Sequence, residues 1–239
     1  MSAIISEAEE VAKTLEGKKA GERISWLYAT YGERVVASSS FGLQAAVMLH
    51  LIAENAPKIP VIFVDTGYLF PESYQYIEKL LQHLDVDLRT YVPNVTAARQ
   101  EALWGNLWEG DKEGQRKYAS INKVEPMNRA LKELGADIWL SGLRRTQSSS
   151  RANRALAEQQ SSTLKVYPIL DWADAQVASC FYDNKLPHHP LEREGYLTMG
   201  DWHSTRKPNL GEDAEATRFG GEKYECGLHE NSGENDFQI

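Results

Sequence analysis

Two short stretches, Arg34-Val-Val-Ala-Ser-Ser-Ser-Phe-Gly42 and Pro60-Val-Ile-Phe-Val-Asp-Thr-Gly67, decide the fold that the sequence predicts. Each begins with a run of mostly β-branched, apolar residues and ends in small or polar residues, which is typical of a buried strand followed by a loop. Between them, the apolar residues of segment 43–53 recur at helical spacing. The order strand, helix, strand indicates two parallel strands joined by a crossover helix.

The same alternation continues along the chain and predicts an α/β fold, with a doubly wound, mostly parallel sheet and N-terminal helices. The further predicted strands are 88–92, 137–141 and 164–168, and the predicted helices are 6–15, 20–31, 71–84, 124–134 and 173–182. The segments interpreted as long irregular loops are 105–122, 147–162 and 187–239. In doubly wound folds the ligand binds beyond the carboxyl ends of the strands, at a switch in strand order. The segments expected at that edge are 38–42, 65–68 and 141–145.

The composition is that of an ordinary globular domain, because 42% of the 239 residues are hydrophobic and 25% are charged. No run approaches the roughly 18 apolar residues that a membrane helix requires, and the first ten residues lack the features of a secretory signal. We therefore expect a cytoplasmic protein without membrane contact. The net charge of −8 is unfavourable for binding nucleic acid through a broad basic surface.

The negative charge is concentrated at the C-terminus. Residues 211–239 hold eight acidic side chains against Arg218 and Lys223 and contain few apolar residues to bury. We therefore expect one α/β nucleotide-binding domain over residues 1–210, followed by a mobile C-terminal tail over residues 211–239.

Small polar residues follow the first predicted strand, in the segment Ser38-Ser-Ser-Phe-Gly42. The backbone N–H groups of a strand-to-helix turn and the positive helix N-terminus favour an anion. The segment is not a Walker loop, because Gly-Lys-Ser/Thr is missing. Serine-rich turns are also common as helix N-caps, so the segment alone leaves both interpretations open.

Basic residues are predicted at the same edge of the sheet. Arg144 and Arg145 follow another strand, and Arg151 and Arg154 are close in sequence. Guanidinium groups suit bidentate contacts with phosphate, although ordinary surface arginine is the alternative. Lys123 immediately precedes the predicted helix 124–134, where a solvated charge is equally consistent with the pattern.

The chain has two cysteines, Cys180 and Cys226, which cannot form a disulfide framework or a four-thiolate metal site. Cys180 lies in an apolar helical stretch and is interpreted as structural. Cys226 lies in the polar tail between Lys223 and His229, where nearby cations favour the reactive thiolate, with an idle surface thiol as the alternative. We predict no metal site, because the proline-flanked histidines of segment 186–191 have no second cluster of ligands.

Several stretches, in this order, resemble the assimilatory phosphoadenylyl-sulfate reductases of the adenine-nucleotide α-hydrolase-like group. The resemblance extends from about Val35 to Glu230. The matching stretches are Ser38-Ser-Ser-Phe-Gly-Leu-Gln44, Val64-Asp-Thr-Gly-Tyr68, Asn122-Lys-Val-Glu-Pro-Met127, Ser141-Gly-Leu-Arg-Arg145, Pro168-Ile-Leu-Asp-Trp172, Leu186-Pro-His-His-Pro-Leu191 and Glu225-Cys-Gly-Leu-His229.

The resemblance implies that Cys226 attacks the sulfur of 3′-phosphoadenylyl sulfate (PAPS), expels adenosine 3′,5′-bisphosphate and becomes S-sulfocysteine. Thioredoxin or glutaredoxin, as the external reductant, then releases sulfite by thiol exchange. The resemblance implies no bound cofactor, suggests a homodimer, and assigns supporting roles to Tyr196 and His229. The residues expected around the nucleotide are Ser38, Ser39, Ser40, Phe41, Gly42, Gln44, Asp65, Thr66, Gly67, Lys123, Arg144, Arg145 and Arg151.

Two departures from relatives narrow this expectation. ATP pyrophosphatases of the group carry Ser-Gly-Gly-x-Asp-Ser, whereas this chain has Gln44 in place of the aspartate used for magnesium. The iron–sulfur reductases, which typically act on adenylyl sulfate, carry cysteines where this chain has Tyr118-Ala119 and Asp201-Trp-His-Ser204. The 3′-phosphorylated substrate is therefore favoured, and an adenylyl-sulfate reductase or a pyrophosphatase-type nucleotide transferase is the alternative.

Overall fold

The computed structural model describes residues 6–217, which are built around a six-stranded sheet. Its strands are β1 (Val35–Ser38), β2 (Val61–Val64), β3 (Leu88–Tyr91), β4 (Ile138–Ser141), β5 (Ala157–Gln160) and β6 (Thr163–Val166). Their order is β3-β2-β1-β4-β6-β5, and the neighbouring strands are parallel except for the antiparallel pair β5 and β6. The predicted doubly wound, mostly parallel sheet is confirmed.

Helices lie before, between and after these strands. They are α1 (Glu7–Leu15), α2 (Ala20–Tyr31), α3 (Ala45–Asn55), α4 (Pro71–His83), α5 (Ala97–Trp104), α6 (Lys112–Ala119), α7 (Glu125–Glu133) and α8 (Asp174–Asp183). A capping box starts α1, where the Ser6 hydroxyl accepts from the Glu9 N–H and the Glu9 carboxylate accepts from the Ser6 N–H. The helices predicted from apolar spacing begin within a few residues of the observed positions.

Alternate residues of the strands enter two different cores. Val35 and Ala37 of β1 belong to the larger core, which also contains buried residues of α1, α2, α3, α4 and α8. Val36 points to the opposite face and belongs to a smaller core with Met127 and Ala130 of α7. Since successive side chains of a strand point to opposite faces, a strand buried on both sides becomes a continuous apolar run.

The N-terminal helices are fastened to the sheet by a buried arginine. The Arg23 side chain of α2 is almost fully buried and donates to the Asp171 carboxylate at 2.7 and 2.8 Å. It also donates to the Leu15 and Pro168 carbonyl oxygens. These hydrogen bonds satisfy a charge that would otherwise be costly to bury, and they join α1, α2 and the segment that follows β6.

The interpretation of segment 105–122 as an irregular loop is wrong, and helix α5 before it was not predicted. Asp111 caps α6 by accepting from the Glu113 and Gly114 N–H groups at 3.1 and 3.0 Å. A π-helical turn, Ser120–Val124, then joins α6 to α7. Tyr118 is the one buried side chain of α6, so this helix lacks the apolar stripe that predicts a helix from sequence.

The interpretation of segment 147–162 as a loop is also wrong over its last residues. Residues 157–160 form β5, which pairs with β6 from Ala157 opposite Val166 to Gln160 opposite Thr163. The strand is polar because it lies at the edge of the sheet, where polar side chains reach solvent and oppose edge-to-edge association. Its sequence therefore has the composition of a loop.

Among residues 6–217, no helix has the length and apolar character needed to cross a membrane.

Candidate functional site

A cavity of about 450 Å³ lies at the carboxyl edge of the sheet, where β1 and β4 are neighbours. The chain order of the strands reverses at this pair, because β2 and β3 lie on one side of β1 and β6 and β5 lie beyond β4. Ser38 and Ser141 end the two strands as register partners, and both line the cavity. The cavity therefore lies at the switch point of the sheet, where the sequence predicts a ligand site.

The serine loop after β1 contributes the hydroxyls of Ser38, Ser39 and Ser40 to the cavity lining. The Ser38 hydroxyl accepts from the Trp139 indole N–H at 2.7 Å, which fixes it against β4. Phe41 is different, because its side chain is fully buried and packs edge-on against Phe63 at 5.2 Å between ring centroids. Phe41 thus anchors the loop in the core and does not line the cavity.

The backbone of this loop is held in an unusual conformation. Phe41 has a φ of +49°, in the left-handed region, and its N–H donates to the Ser39 hydroxyl at 3.1 Å. Few non-glycine residues adopt this region, so the buried phenylalanine ring must compensate for the strain. Gly42 and Gln44 follow on the cavity wall, and α3 starts at Ala45.

Arg144 is buried in the wall of the cavity, with 3% of its surface exposed. Its guanidinium donates to the Gln44 side-chain oxygen at 2.6 Å, to the Thr146 hydroxyl at 2.9 Å and to the Asp174 carboxylate at 2.8 Å. These contacts join the loop after β4 to the starts of α3 and α8. The arrangement presents a fixed cation to any anion that enters the cavity.

The other two predicted arginines have different surroundings. Arg145 donates to the Arg154 carbonyl oxygen at 2.8 and 3.1 Å and is not among the residues that line the cavity. Arg151 lines the cavity and donates to the Gln147 side-chain oxygen at 2.6 Å. The structure therefore brings Arg144 and Arg151 to the cavity and turns Arg145 away from it.

The residues of the Asp65-Thr66-Gly67 segment, which follows β2, also differ in whether they line the cavity. The Asp65 carboxylate accepts from the Gly67 N–H at 2.9 Å and from the Tyr74 hydroxyl at 2.8 Å, so it shapes the turn. Burial and this carboxylate raise the pKa of Tyr74, which keeps the phenol protonated. Gly67, with a φ of +77°, allows the chain to turn, and of the three residues Thr66 alone lines the cavity.

Lys123 reaches the cavity from the π-helical turn and forms an ion pair with Asp201 at 2.7 Å. The second Asp201 oxygen accepts from the Thr66 hydroxyl at 2.6 Å. Burial by itself would raise the pKa of Asp201, but the Lys123 charge and the hydrogen bonds from Lys123 and Thr66 outweigh it and lower that pKa to about 2. The Asp201 carboxyl group is therefore ionised at neutral pH.

Aromatic rings pack behind this ion pair. His203 stacks on Trp108 at 4.3 Å between centroids, and its Nε2 lies 3.0 Å from the Tyr118 hydroxyl. Tyr68 contacts the same group edge-on. Burial and then the Asp201 charge raise the pKa of Tyr118, so its phenol stays protonated and its hydroxyl remains able to donate.

The segments Tyr118-Ala119 and Asp201–Ser204, at which the sequence resemblance implies no cluster cysteines, are neighbours in the fold, because Tyr118 contacts His203. In this chain those positions hold aromatic and hydrogen-bonding side chains. Across residues 6–217, no group of three His, Cys, Asp or Glu side chains is arranged to hold a metal ion. His189 is instead buried between the Ser73 hydroxyl and the Leu191 N–H.

The remaining predicted residues lie away from the cavity or beyond the described part of the chain. Tyr196 packs edge-on against Phe70 at 5.5 Å and lies outside the cavity lining. Cys180 is buried on α8, and burial raises the pKa of its thiol, which suits a structural residue. Cys226 and His229 lie outside residues 6–217.

The residues of the site that sequence reasoning missed include Trp139, Asp174 and Asp201. Asp174 lies at the start of a predicted helix that follows a strand, so the carboxyl-edge rule could have identified it. Trp139 is the second residue of β4, so the same rule does not select it. Asp201 lies in a long loop, 135 residues from its partner Thr66. No local sequence signal marks it as a buried carboxylate.

Sequence comparison with known proteins gives the family that the sequence motifs resemble. The family model of the phosphoadenosine phosphosulfate reductase domain matches residues 34–207. A phosphoadenosine 5′-phosphosulfate reductase of Photobacterium profundum is 47% identical over 232 residues, covering 97% of this chain and 92% of that protein. The protein of that name from Escherichia coli O157:H7 is 51% identical over 227 residues, covering 95% and 93%.

Solved structures agree with this assignment. A crystal structure of phosphoadenylyl-sulfate reductase from Candida auris, a phosphate complex, aligns with a TM-score of 0.73 at 30% identity, covering 84% of this chain and 98% of that chain. FMN adenylyltransferase from Candida glabrata aligns with a TM-score of 0.52 over 88% of this chain and 73% of that chain, but at 15% identity, so this likeness concerns the fold alone. The resemblance found in the sequence is therefore confirmed, and the chain belongs to the phosphoadenosine phosphosulfate reductase family.

Proposed function

We propose that the chain reduces PAPS to sulfite and adenosine 3′,5′-bisphosphate in sulfate assimilation, with Cys226 as the nucleophile. The observation that carries the proposal is the cavity at the switch point of the sheet, whose wall includes the buried cations Arg144 and Lys123. Its volume of about 450 Å³ lies within the range of small-molecule sites. Family membership supplies the substrate class, since the relatives are named for this reaction.

The proposed reaction has two steps. The Cys226 thiolate attacks the sulfur of PAPS, so that an S–S bond forms, the S–O bond to the nucleotide phosphate breaks, and adenosine 3′,5′-bisphosphate leaves. A thiolate of a dithiol protein, thioredoxin or glutaredoxin, then attacks the cysteine sulfur and expels sulfite. Its second thiol closes a disulfide, which supplies two electrons and returns Cys226 to the reduced form.

The cations in the cavity wall assist the first step. The leaving nucleotide gains negative charge on its phosphate oxygen as the S–O bond breaks, and fixed positive groups stabilise such charge more effectively than mobile water does. Arg144 is held in place by Gln44 and Asp174, so its guanidinium needs no reorganisation during the reaction. Arg151 adds a second guanidinium to the lining, and both arginines suit the phosphates of the nucleotide.

The position of Thr217 makes this role for Cys226 geometrically feasible. Ala214 lines the cavity and Thr217 is buried against the described domain. Nine residues lead from Thr217 to Cys226, and an extended chain of that length spans at most about 30 Å. We propose that residues 1–210 form the nucleotide-binding domain and that the tail, residues 211–239, brings Cys226 to the cavity and then to the partner protein.

The partner, the assembly and the compartment are proposed on the same basis. The release of sulfite consumes two thiol equivalents, and the dithiol proteins thioredoxin and glutaredoxin of the cytoplasm supply both in one molecule. The homodimer and the cytoplasmic location follow from the family resemblance. The proposal involves no bound cofactor, because the external dithiol provides both electrons.

The proposal is tested by intact-mass analysis of the reduced protein after incubation with PAPS. We expect one SO3 unit on Cys226, removed again by reduced thioredoxin, and steady formation of sulfite when thioredoxin is recycled. Parallel assays with adenylyl sulfate measure the preference for the 3′-phosphorylated substrate. An unchanged mass would contradict the proposed reaction. Equal rates with both nucleotides would contradict the proposed specificity.

The two cysteines provide a matched pair of variants for this experiment. Cys226→Ser removes the proposed nucleophile, so we expect it to abolish sulfite formation while adenosine 3′,5′-bisphosphate still binds. Cys180→Ser changes a buried thiol of α8 that lies outside the cavity lining, and we expect sulfite formation to continue. Activity that survives Cys226→Ser would rule out the covalent mechanism.

A further inference from the structure

The carboxylate of Asp201 is the centre of a buried polar group at one wall of the cavity. Asp201 is 1% exposed, and its two oxygens have different partners. One lies 2.7 Å from the Lys123 ammonium, and the other accepts from the Thr66 hydroxyl at 2.6 Å. All three residues line the cavity, so the group is part of the site and not only of the core.

The three partners come from separate segments, each of which is fixed by its own contacts. Thr66 follows β2, and its hydroxyl also accepts from the Tyr68 N–H at 3.2 Å. Asp201 is held beside that segment by a β-bridge to Leu69, and the Trp202 N–H donates to the Tyr68 carbonyl oxygen at 2.8 Å. The carboxylate therefore has a defined position relative to the end of β2.

Lys123 is placed by the π-helical turn between α6 and α7. The preceding residue, Asn122, is fully buried and exchanges two side-chain hydrogen bonds with Gln100 of α5, at 2.7 and 2.9 Å. This amide pair fixes the backbone of the turn. The position of the long Lys123 side chain then depends on the contacts of its ammonium group. Asp201 is the carboxylate that contacts this group.

The surroundings make this ion pair strongly dependent on both partners. Lys123 is 8% exposed, and the aromatic rings of Tyr118, Trp108 and His203 pack behind the pair. In a site with little water a carboxylate holds an ammonium firmly, and loss of either partner leaves a buried charge poorly compensated. A flexible lysine side chain with many rotamers thus becomes a fixed donor.

We propose that Asp201 is a positioning residue of the reaction, which holds Lys123 so that its ammonium meets an anionic oxygen of the adenylyl sulfate group. Thr66 completes the arrangement by binding the other Asp201 oxygen. This inference rests on the proposed function, because it assigns Lys123 to the substrate of that reaction. Asp201 acts through Lys123 and does not touch the substrate.

A double-mutant cycle tests the proposal through the coupling between Asp201 and Lys123. Displacement of a group in an active site by about 1 Å can cost about a hundredfold in rate, so we expect Asp201→Asn to lower kcat/KM by about 10- to 100-fold. We expect Lys123→Met to lower it at least as much. In the Lys123→Met background, Asp201→Asn has nothing left to position and should lower kcat/KM by less than about threefold.

Thr66 provides a second route to the same result if the Asp201 variants fold poorly. Thr66→Val removes the hydroxyl that binds Asp201, whereas Thr66→Ser keeps it. We expect Thr66→Val to lose activity and Thr66→Ser to retain it. In the Lys123→Met background, we expect Thr66→Val to cause no further loss. Serine and valine variants with equal losses would contradict this part of the arrangement.

Asp171→Asn is the matched control, because it also removes a carboxylate from a buried cation, Arg23, at a place outside the cavity lining. We expect it to lower thermal stability while kcat/KM remains within about twofold of the wild type. If the fold-losses in kcat/KM of Asp201→Asn and Lys123→Met multiply in the double variant, the positioning role of Asp201 is overturned. A wild-type chain that forms no sulfite from PAPS would instead contradict the proposed function, so the two failures are distinguishable.

Discussion

Arg144 and Arg145 are adjacent and follow the same strand, yet their side chains have opposite surroundings. Arg144 lines the cavity and donates to Gln44 and Asp174, whereas Arg145 donates to the Arg154 carbonyl oxygen. The backbone changes between the two residues, because Arg144 is extended, with φ −127° and ψ 148°, whereas Arg145 begins the short 3-10 helix Arg145–Gln147. A sequence motif that contains both arginines therefore leaves open which one meets a ligand.

We expect Arg144→Lys to weaken the binding of adenosine 3′,5′-bisphosphate by about tenfold, equivalent to about 1.4 kcal/mol. Lysine has no planar fork, so it cannot reach Gln44 and Asp174 at once and its ammonium is less fixed. Isothermal titration calorimetry measures the affinity. Arg145→Lys serves as the neighbouring comparison, with an affinity expected within about twofold of the wild type. Equal losses for the two variants would contradict the assignment.

The π-helical turn Ser120–Val124 is the element that connects the outer helices to the site. Its backbone hydrogen bonds join residues five positions apart instead of four as in an α-helix, and such turns occur frequently at functional sites. The Gln100 and Asn122 amides fasten it to α5, and Lys123 follows directly. We therefore expect the stability of the fold and the binding of the nucleotide to be coupled through this turn.

We expect Gln100→Ala to lower the free energy of unfolding by about 2 kcal/mol, because it leaves the buried Asn122 amide without two hydrogen bonds. The affinity for adenosine 3′,5′-bisphosphate should fall as well, since the turn that carries Lys123 becomes less fixed. Urea denaturation and calorimetry measure the two effects. Gln115→Ala on the exposed face of α6 is the matched control, expected within about 0.5 kcal/mol of the wild type. A loss of stability with unchanged affinity would separate the turn from the site.

The elements that sequence reasoning missed have a common physical cause. Strands β1, β2 and β4 are buried on both faces, so their apolar runs predict them directly. Helix α6 buries one side chain, Tyr118, and β5 is a polar edge strand, so neither carries an apolar pattern. Both form because a cap or a neighbouring strand satisfies their backbone groups.

At the scale of the whole molecule, the location of the candidate site was predictable from the sequence, whereas its buried carboxylate, Asp201, was not. The alternation of strands and helices fixed the carboxyl edge of the sheet, and the serine loop and Arg144 do meet there. Asp201 becomes part of the site through contacts with Thr66 and Lys123, which are far from it in sequence. Only the folded chain brings these three together, because nothing local in a sequence specifies pairing over such distances.

The same carboxylate gives the whole molecule a defined response to acid. The pKa of Asp201 in the folded state, about 2, is below the value of about 3.9 for an unfolded chain. Its stabilising contribution is therefore complete above about pH 4 and is lost as the pH falls towards 2, by about 2 to 3 kcal/mol. Asp171, whose pKa is also lowered by its hydrogen bond with Arg23, acts in the same direction.

We expect the wild type to be more stable than Asp201→Asn at neutral pH, and we expect this difference to shrink as the pH falls from about 4 to about 2. A protonated Asp201 and an asparagine both leave Lys123 without a carboxylate charge, so the two proteins become equivalent in acid. Urea denaturation at a series of pH values measures the difference in free energy of unfolding. Subtracting the variant removes the contribution of Asp171 and of every other carboxylate. A difference that stays the same at every pH would mean that Asp201 contributes through packing and not through its charge.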